Sequence, residues 1–156
     1  MAKATPQFVE DMARVFERFG LPRMASRVWA LLWVSGAPQL SAGEIAEELN
    51  ASAGSVSTAT RQLLDLDLID RVRVVNERRS YFRTDTHALE RLLLRRTAGA
   101  AEMVRLADTG LRRFGDEPVT RARLENMRHF YAWFLEEMED LAQRWREEAD
   151  SNLRHE

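Results

Sequence analysis

The sequence predicts a mainly α-helical fold that contains one short β-hairpin. Three observations lead to this prediction. Apolar residues recur at helical spacing through most of the chain, one segment near its middle is rich in β-branched and aromatic residues, and the C-terminal part carries two long helical patterns. The 156 residues suffice for an ordinary core, and 45% hydrophobic with 31% charged residues is typical of a globular protein.

Two helices are predicted before residue 39. The first has one apolar stripe, which Gly20 ends, and the stripe consists of Phe8, Val9, Met12, Phe16 and Phe19. Pro22 suits the first turn of the second helix, whose apolar residues are dense enough for burial on nearly all sides. The sequence "SGAP" at 35–38 ends that helix.

Two short helices follow, joined by about three residues, a separation typical of a helix-turn-helix. Ser41 and Glu44 have the spacing of a capping box, so a helix is predicted to begin at Ser41. Ser52 is a suitable N-cap for the next helix. The inner face of that helix consists of Val56, Ala59, Leu63 and Leu66. Together the two helices have the outline of a helix-turn-helix.

Strand-forming residues between 69 and 82 predict a two-stranded hairpin whose loop is "NERR" at 76–79. The segment Arg71 to Arg83 holds five arginines against one acid, Glu77, and is the concentrated positive patch of a chain with net charge −2. A hairpin directly after a helix-turn-helix predicts a winged helix-turn-helix.

The C-terminal residues predict two long helices separated by "GDEP" at 115–118. Apolar residues of the second helix step alternately by three and four, which is typical of a coiled-coil seam. A second copy of the chain is the expected partner for so long a seam. The predicted homodimer interface is Leu124, Met127, Tyr131, Phe134, Met138, Leu141 and Trp145. We therefore predict a winged-helix domain over 1–87 and a helical dimerisation region over 88–156, in one compact chain without a flexible linker.

The second helix of the motif offers a small polar face that suits the major groove of DNA. A helix enters this groove, about 12 Å wide, when its leading face is slim, and hydroxyl, Arg and Gln side chains hydrogen-bond to phosphates and base edges. The predicted recognition-helix contacts are Ser52, Gly54, Ser55, Ser57, Thr58, Arg61 and Gln62, of which Ser52 is also the expected cap. The predicted wing contacts are Arg73, Asn76, Arg78 and Arg79. The alternative is that the hydroxyls are caps and solvated surface, and that the wing is a solvated loop.

The sequence resembles the GbsR branch of the MarR-type winged-helix regulators in three stretches, 8–32, 40–63 and 69–82. The most distinctive segments are "GLPRMASRV" and "GSVSTATRQL". The resemblance implies a homodimer that binds an inverted-repeat operator, as a repressor in most members, and that a small ligand releases in some. By position it carries DNA contacts to Ser55, Ser57, Thr58, Arg61, Gln62, Arg78 and Arg79. Ala53 departs from the family, which often has a basic residue there, and Asp67 stands where the family usually has Gly. The loss of a phosphate contact, or a shift of that role to the wing, is therefore expected at Ala53, and a slightly altered helix end at Asp67.

Aromatic residues of the second and last helices form a candidate effector pocket. Aromatic boxes hold quaternary ammonium ligands, and choline-type effectors are known in the GbsR branch. Aromatic residues at helical spacing are more often plain core, and this alternative stays open here. The candidate pocket residues are Trp29, Trp33, Phe130 and Trp133, for a small-molecule effector of unknown identity.

Enzymatic and membrane functions find no support in the sequence. The chain has no cysteine, phosphate loop or Ser-His-Asp pattern, and Glu125 with His129 supplies only two metal ligands. We expect no catalytic residues, no metal and no cofactor. Without an export signal or a membrane-spanning run, a cytoplasmic location is expected. The predicted function is a DNA-binding transcription regulator whose partners are double-stranded DNA and itself. The alternatives are a protein-interaction winged helix and a small-molecule-binding protein without DNA affinity.

Overall fold

The computed structural model describes residues 6–74, 79–95 and 97–152. The chain divides into two compact units, Met1–Leu89 and Glu90–Glu156. The helices and strands, in chain order, are α1 (Pro6–Arg18), α2 (Arg23–Val34), β1 (Leu40–Ser41), α3 (Ala42–Glu48), α4 (Ala53–Asp65), β2 (Asp70–Arg73), β3 (Ser80–Arg83), α5 (Ala88–Arg95), α6 (Thr97–Phe114) and α7 (Pro118–Asn152).

The central helix of the first unit is α2, as its dense apolar sequence predicts. Helices α1 and α4 both pack against it, and its buried residues are Ala25, Ser26, Val28, Trp29, Ala30, Leu31 and Leu32. The Trp29 ring lies 4.2 Å from the Phe16 ring of α1, centroid to centroid. Each large apolar side chain buried in this way contributes about 1.5–3 kcal/mol to folding. The first unit is therefore held together mainly around α2.

The apolar stripe predicted on α1 is buried along only one of its edges. Val9, Ala13 and Phe16 are buried, whereas Phe8 and Val15 keep 52% and 47% of their surface exposed. A helix turns about 100° per residue, so the Phe8 side and the Val9 side point in directions roughly a quarter-turn apart. The predicted residues still lie within about 100° of one another around the helix. The stripe is therefore single, with a buried edge at Val9 and Phe16 and an exposed edge at Phe8.

Three helix ends of the first unit share one hydrogen-bond pattern. Gly20, Asn50 and Asp67 each follow a helix with a positive φ, of 87°, 47° and 53° respectively. The next backbone N–H then donates to a carbonyl five residues earlier: Leu21 to Phe16 (3.3 Å), Ala51 to Ala46 (2.9 Å) and Leu68 to Leu63 (2.9 Å). Glycine adopts this left-handed conformation readily, and Asn and Asp tolerate it. Asp67 thus ends α4 in the geometry that Gly would adopt, which corrects the expectation of an altered helix end.

The predicted hairpin is present, and a third strand extends it. Strands β2 and β3 are antiparallel, with Asp70 opposite Arg83, and β1 pairs with β3 through Leu40 and Phe82. The strand order is β1-β3-β2. The two-stranded sheet expected from the sequence is therefore three-stranded, because the two residues of β1 are too few to produce an alternating pattern. Most of the wing tip, 75–78, lies outside the described residues.

In the second unit, α6 and α7 pack along each other. The predicted break is present, since α6 ends at Phe114 and α7 begins at Pro118, a position that suits proline. Gly110 of α6 permits a close approach: a Cβ built there lies 3.0 Å from Cδ1 of Leu124. The first of the two long predicted helices is described as α5 and α6, on either side of residue 96. Within the described chain, no helix has both the length and the apolar character to cross a membrane.

Candidate nucleic-acid interface

The N-terminus of α4 is capped as the sequence predicts. The Ser52 hydroxyl accepts a hydrogen bond of 3.2 Å from the Ser55 N–H, which satisfies one of the amides that a helix start leaves without a partner. Val56, Ala59 and Leu63 are completely or almost completely buried. These contacts fix one side of α4 to the first unit and leave the opposite side exposed.

The exposed side of α4 carries nearly all of the predicted recognition residues. Six of the seven are exposed: Ser52, Gly54, Ser55, Ser57, Thr58 and Arg61. Gln62 is half-buried. A Cβ built on Gly54 meets no heavy atom within 4 Å, so this part of the helix is slim and open. Such a profile fits a helix that enters a groove.

The hydroxyl groups of α4 have different roles. Ser52 and Ser55 share a hydrogen bond of 2.9 Å between their hydroxyl oxygens, so both take part in the helix start. The Thr60 hydroxyl is buried and donates to the carbonyls of Val56 (2.9 Å) and Ser57 (3.1 Å). The hydroxyls of Ser57 and Thr58 lie on exposed residues. These two are the ones best placed for a ligand outside the fold.

Two arginines of the hairpin contact neighbouring side chains within it, and two others are exposed near the root of the wing. Arg71 lies over the Phe82 ring at 5.8 Å, and Arg83 forms an exposed ion pair of 3.3 Å with Asp70. Arg73, at the end of β2, and Arg79, before β3, are exposed. The other two predicted wing residues, Asn76 and Arg78, lie outside the described residues.

The side of α3 next to the wing is acidic, a feature not predicted from the sequence. An open groove of about 510 Å³ lies between the start of α3 and the wing root, and Glu44, Glu47 and Arg79 are among its lining residues. Hydrogen bonds from the Ser41 side chain and backbone lower the pKa of Glu44, and Arg79 lowers it further. The expected capping box is present, with Ser41 N–H donating to the Glu44 carboxylate at 2.7 Å. A polyanion approaching this edge meets carboxylates as well as arginine.

The four candidate effector residues lie in two different units. Trp29 is completely buried and its Nε1 donates to the Thr84 hydroxyl at 3.0 Å. The Trp33 ring lies 6.1 Å from it, and the buried Trp33 Nε1 has no hydrogen-bond partner among the described residues. Phe130 and Trp133 are exposed on α7, with ring centroids 6.2 Å apart. Trp29 thus has a core role, and an effector pocket stays a prediction.

The predicted dimer seam on α7 is divided along the length of the helix into a half-buried and an exposed part. Five of its residues are half-buried within the second unit: Leu124, Met127, Tyr131, Phe134 and Met138. Leu141 and Trp145 are exposed. Residues that step by three and four share a helix side, so the half-buried ones lie on the side where Leu124 meets Gly110 of α6. Part of the seam is therefore used within the chain.

Comparison with known proteins identifies the family. Residues 19–80 match the MarR family, and residues 87–148 match an MmpR5-like MarR family transcriptional regulator. The HTH-type transcriptional regulator MmpR5 of Mycobacterium tuberculosis is 37% identical over 140 residues, which cover 89% of this chain and 85% of that protein. The chain belongs to the MarR family of transcriptional regulators.

A solved structure described as a transcriptional regulator agrees with this MarR-family assignment. It has a TM-score of 0.74 and 37% identity, and the match covers 90% of this chain and 97% of that chain. The predicted winged helix-turn-helix with long C-terminal helices is confirmed. The protein is a DNA-binding transcription regulator, as the sequence predicts, of a family whose members bind DNA and act as dimers. This result favours DNA binding over the protein-interaction and small-molecule alternatives.

Proposed function

We propose that this MarR-family protein is a homodimeric repressor that binds an inverted-repeat operator, with α4 of each copy in a major groove. The observation that carries the proposal is the division of α4 into a buried apolar side and an exposed side of Gly, Ser, Thr and Arg. The N-terminal residues of such a helix contact base edges in helix-turn-helix complexes, and two-fold symmetry places half-sites about 34–36 Å apart. Ser57 and Thr58 are the proposed base contacts.

The wing arginines supply the proposed grip on the phosphates. Arg61 is the cationic residue on the exposed side of α4, and the exposed glutamates of α3 oppose a polyanion nearby. Arg73 and Arg79 are exposed at the two sides of the wing root. Asn76 and Arg78, outside the described residues, stay predicted contacts. Phosphate contacts position a protein on DNA, whereas base contacts specify the sequence.

Exposed apolar side chains support the proposal of a homodimer. On α7, Leu141 of the predicted seam keeps 51% of its surface exposed, and Trp133, outside the seam, keeps 50%. On α1, the edge of the apolar stripe with Phe8 and Val15 is also exposed. Apolar side chains in such patches are typical of surfaces that another chain covers. We propose that a second copy of the chain covers those of α7.

Selection of bound duplexes from a random library tests the DNA proposal. An inverted-repeat motif is the expected outcome, and the absence of any enriched motif at low salt contradicts the proposal. Arg79→Ala should then weaken binding to all duplexes and reduce the salt slope by about 1, the loss of one phosphate contact. Arg14→Ala is the matched control, because Arg14 is an exposed arginine of α1 that pairs with Asp11.

Light scattering at micromolar concentration tests the dimer. Leu141→Arg places a charge in the exposed apolar patch, so we expect it to shift the protein toward a monomer and to weaken operator binding. Glu139→Arg is the control, since two residues along a helix lie on nearly opposite sides. A dimer that survives Leu141→Arg unchanged, or a wild type that is already a monomer, contradicts the proposed interface.

Three finer predictions stay open to test. The matched family models name the MarR family and its MmpR5-like members, so membership of the GbsR branch remains a prediction. A small-molecule effector held by Trp29, Trp33, Phe130 and Trp133, and a cytoplasmic location, also remain predictions. The family consists of transcriptional regulators rather than enzymes, in keeping with the proposal of a repressor.

A further inference from the structure

Arg27 links three segments of the first unit. It lies in the middle of α2, among buried neighbours, and its side chain keeps 21% of its surface exposed. Its Nε donates to the Glu10 carboxylate of α1 at 2.5 Å, and its Nη2 donates to the backbone carbonyl of Leu49 at 3.1 Å. Glu10 and Leu49 are 17 and 22 residues away in the chain. One guanidinium group therefore connects α1 with the end of α3.

The carbonyl that Arg27 holds has a special position. Leu49 is the C-cap of α3, and carbonyls at a helix end lack partners within the helix. Asn50 follows in the left-handed conformation, and Ser52 then caps α4. The held carbonyl thus stands three residues before the N-cap of the helix that carries the proposed base contacts. A shift of this turn moves the start of α4.

We propose that Arg27 is a positioning residue for operator recognition, which fixes the turn before α4 against α1. This inference rests on the proposed DNA-facing role of α4. The planar guanidinium holds the carboxylate and the carbonyl together through separate N–H groups, an arrangement that the single ammonium group of lysine does not reproduce. Both bonds are charge-assisted and partly shielded from water, so they are stronger than neutral surface bonds.

The link also gives α1 an influence on DNA recognition. Glu10 lies on the same helix as the exposed Phe8 and Val15. A displacement of α1 changes the position of the Glu10 carboxylate, and Arg27 passes this change to the Leu49 carbonyl. Among the described residues, the hydrogen bonds of Arg27 go to Glu10, Met24 and Leu49 rather than to the exposed side of α4, so Arg27 acts through the turn.

Hydrogen–deuterium exchange of the free protein tests the link without DNA. In Arg27→Lys, the hydrogen-bonded amides of Ala51, Ser55 and Val56 should exchange about tenfold faster. The reason is that a lost hydrogen bond to a charged group changes local stability by about this factor or more. Glu10→Gln keeps the bond to Leu49 and should have a smaller effect. Arg14→Lys is the control on an exposed ion pair of α1. Unchanged exchange in Arg27→Lys overturns the proposal.

Binding measurements then separate positioning from stability. With the duplex selected by the wild type, Arg27→Lys should raise the Kd about tenfold, which corresponds to about 1.4 kcal/mol. The Kd for a mixed-sequence duplex and the salt slope should not change, because the phosphate contacts remain. An equal loss on both duplexes, or no loss on either, overturns the positioning role. If Arg27→Lys does not fold, the Kd values of Glu10→Gln for the two duplexes are compared instead, and we expect a smaller loss of affinity for the selected duplex.

A failure of the proposed function has a different signature. If the wild type selects no duplex, the repressor proposal fails and positioning for an operator falls with it. The exchange experiment still decides whether Arg27 holds the turn. If the wild type selects a duplex and Arg27→Lys binds it as tightly, the proposed function stands and the inference about Arg27 is wrong.

Discussion

At Gly54, a larger side chain should affect folding stability and DNA binding in different ways. It is the second residue of α4, and a Cβ built there meets no heavy atom within 4 Å. A change from Gly to Ala at such a site stabilises a protein by about 0.4–1 kcal/mol, mainly because the unfolded chain loses conformational freedom. For a chain of this size, about 1 kcal/mol corresponds to about 2–4 °C in Tm. We expect Gly54→Ala to raise the Tm by about 1–4 °C.

The same open space is the clearance that α4 needs in a groove. Gly54→Leu adds a branched side chain where the folded protein has room, and where a groove about 12 Å wide has little. We expect this variant to keep a Tm at or above that of the wild type. Its operator affinity should fall by about 5- to 150-fold, since overpacking costs about 1–3 kcal/mol. Stability and binding thus change in opposite directions.

Thermal unfolding by circular dichroism and fluorescence anisotropy with the selected duplex measure the two effects. Gly99 of α6 provides the control, because a Cβ built there also meets nothing within 4 Å. Gly99→Leu should leave operator binding unchanged. If Gly54→Leu binds the operator as tightly as the wild type, the exposed side of α4 does not enter a groove. If Gly54→Ala lowers the Tm, the inference from local space is wrong.

Three further predictions concern stability. In Gly110→Val, the added side chain is crowded against Leu124, whose Cδ1 lies 3.0 Å from a Cβ built at Gly110. We expect the free energy of unfolding, measured in urea, to fall by about 1–3 kcal/mol. An unchanged free energy of unfolding contradicts the close packing. Asn50 has a φ of 47°, a left-handed conformation that costs Gly little and Ala about 1 kcal/mol. We therefore expect Asn50→Gly to raise the Tm and Asn50→Ala to lower it. The reverse order in thermal unfolding refutes the left-handed turn. Hydrogen bonds from Ser41 lower the pKa of Glu44 in the folded protein. The ionised Glu44 carboxylate therefore adds its full stabilisation at a pH above the pKa that Glu44 has in the unfolded chain. This stabilisation is lost as the pH falls through the lower pKa that Glu44 has in the folded protein. The urea stability of the wild type should therefore exceed that of Glu44→Gln near neutral pH and approach it in acid, and a difference independent of pH rules this out.

Features that depend on neighbouring residues were predictable from the sequence. The capping box of Ser41 and Glu44, the N-cap at Ser52 and the break before Pro118 all depend on residue types within a few positions. The exposed side of α4 was also predictable, because helical periodicity alone separates it from Val56 and its buried neighbours.

Features that depend on distant parts of the chain were not predictable in this way. Strand β1 exists because Leu40 meets Phe82, 42 positions later in the chain. The bridge from Arg27 to Glu10 and to the Leu49 carbonyl needs three segments in place at once. Which edge of the apolar stripe on α1 is buried was not predictable either, because a list of apolar residues does not say which ones a neighbouring helix will cover.

The low charge on the exposed side of α4 affects how this protein is distributed over a genome. Few phosphates are neutralised by one arginine on the helix and a small number on the wing, so few counterions are released on any duplex. Competition from the very large number of unrelated genomic sites depends on this non-specific term. We expect a regulator that spends little time sliding on unrelated DNA, so that a larger share of its molecules is free to find the operator by diffusion.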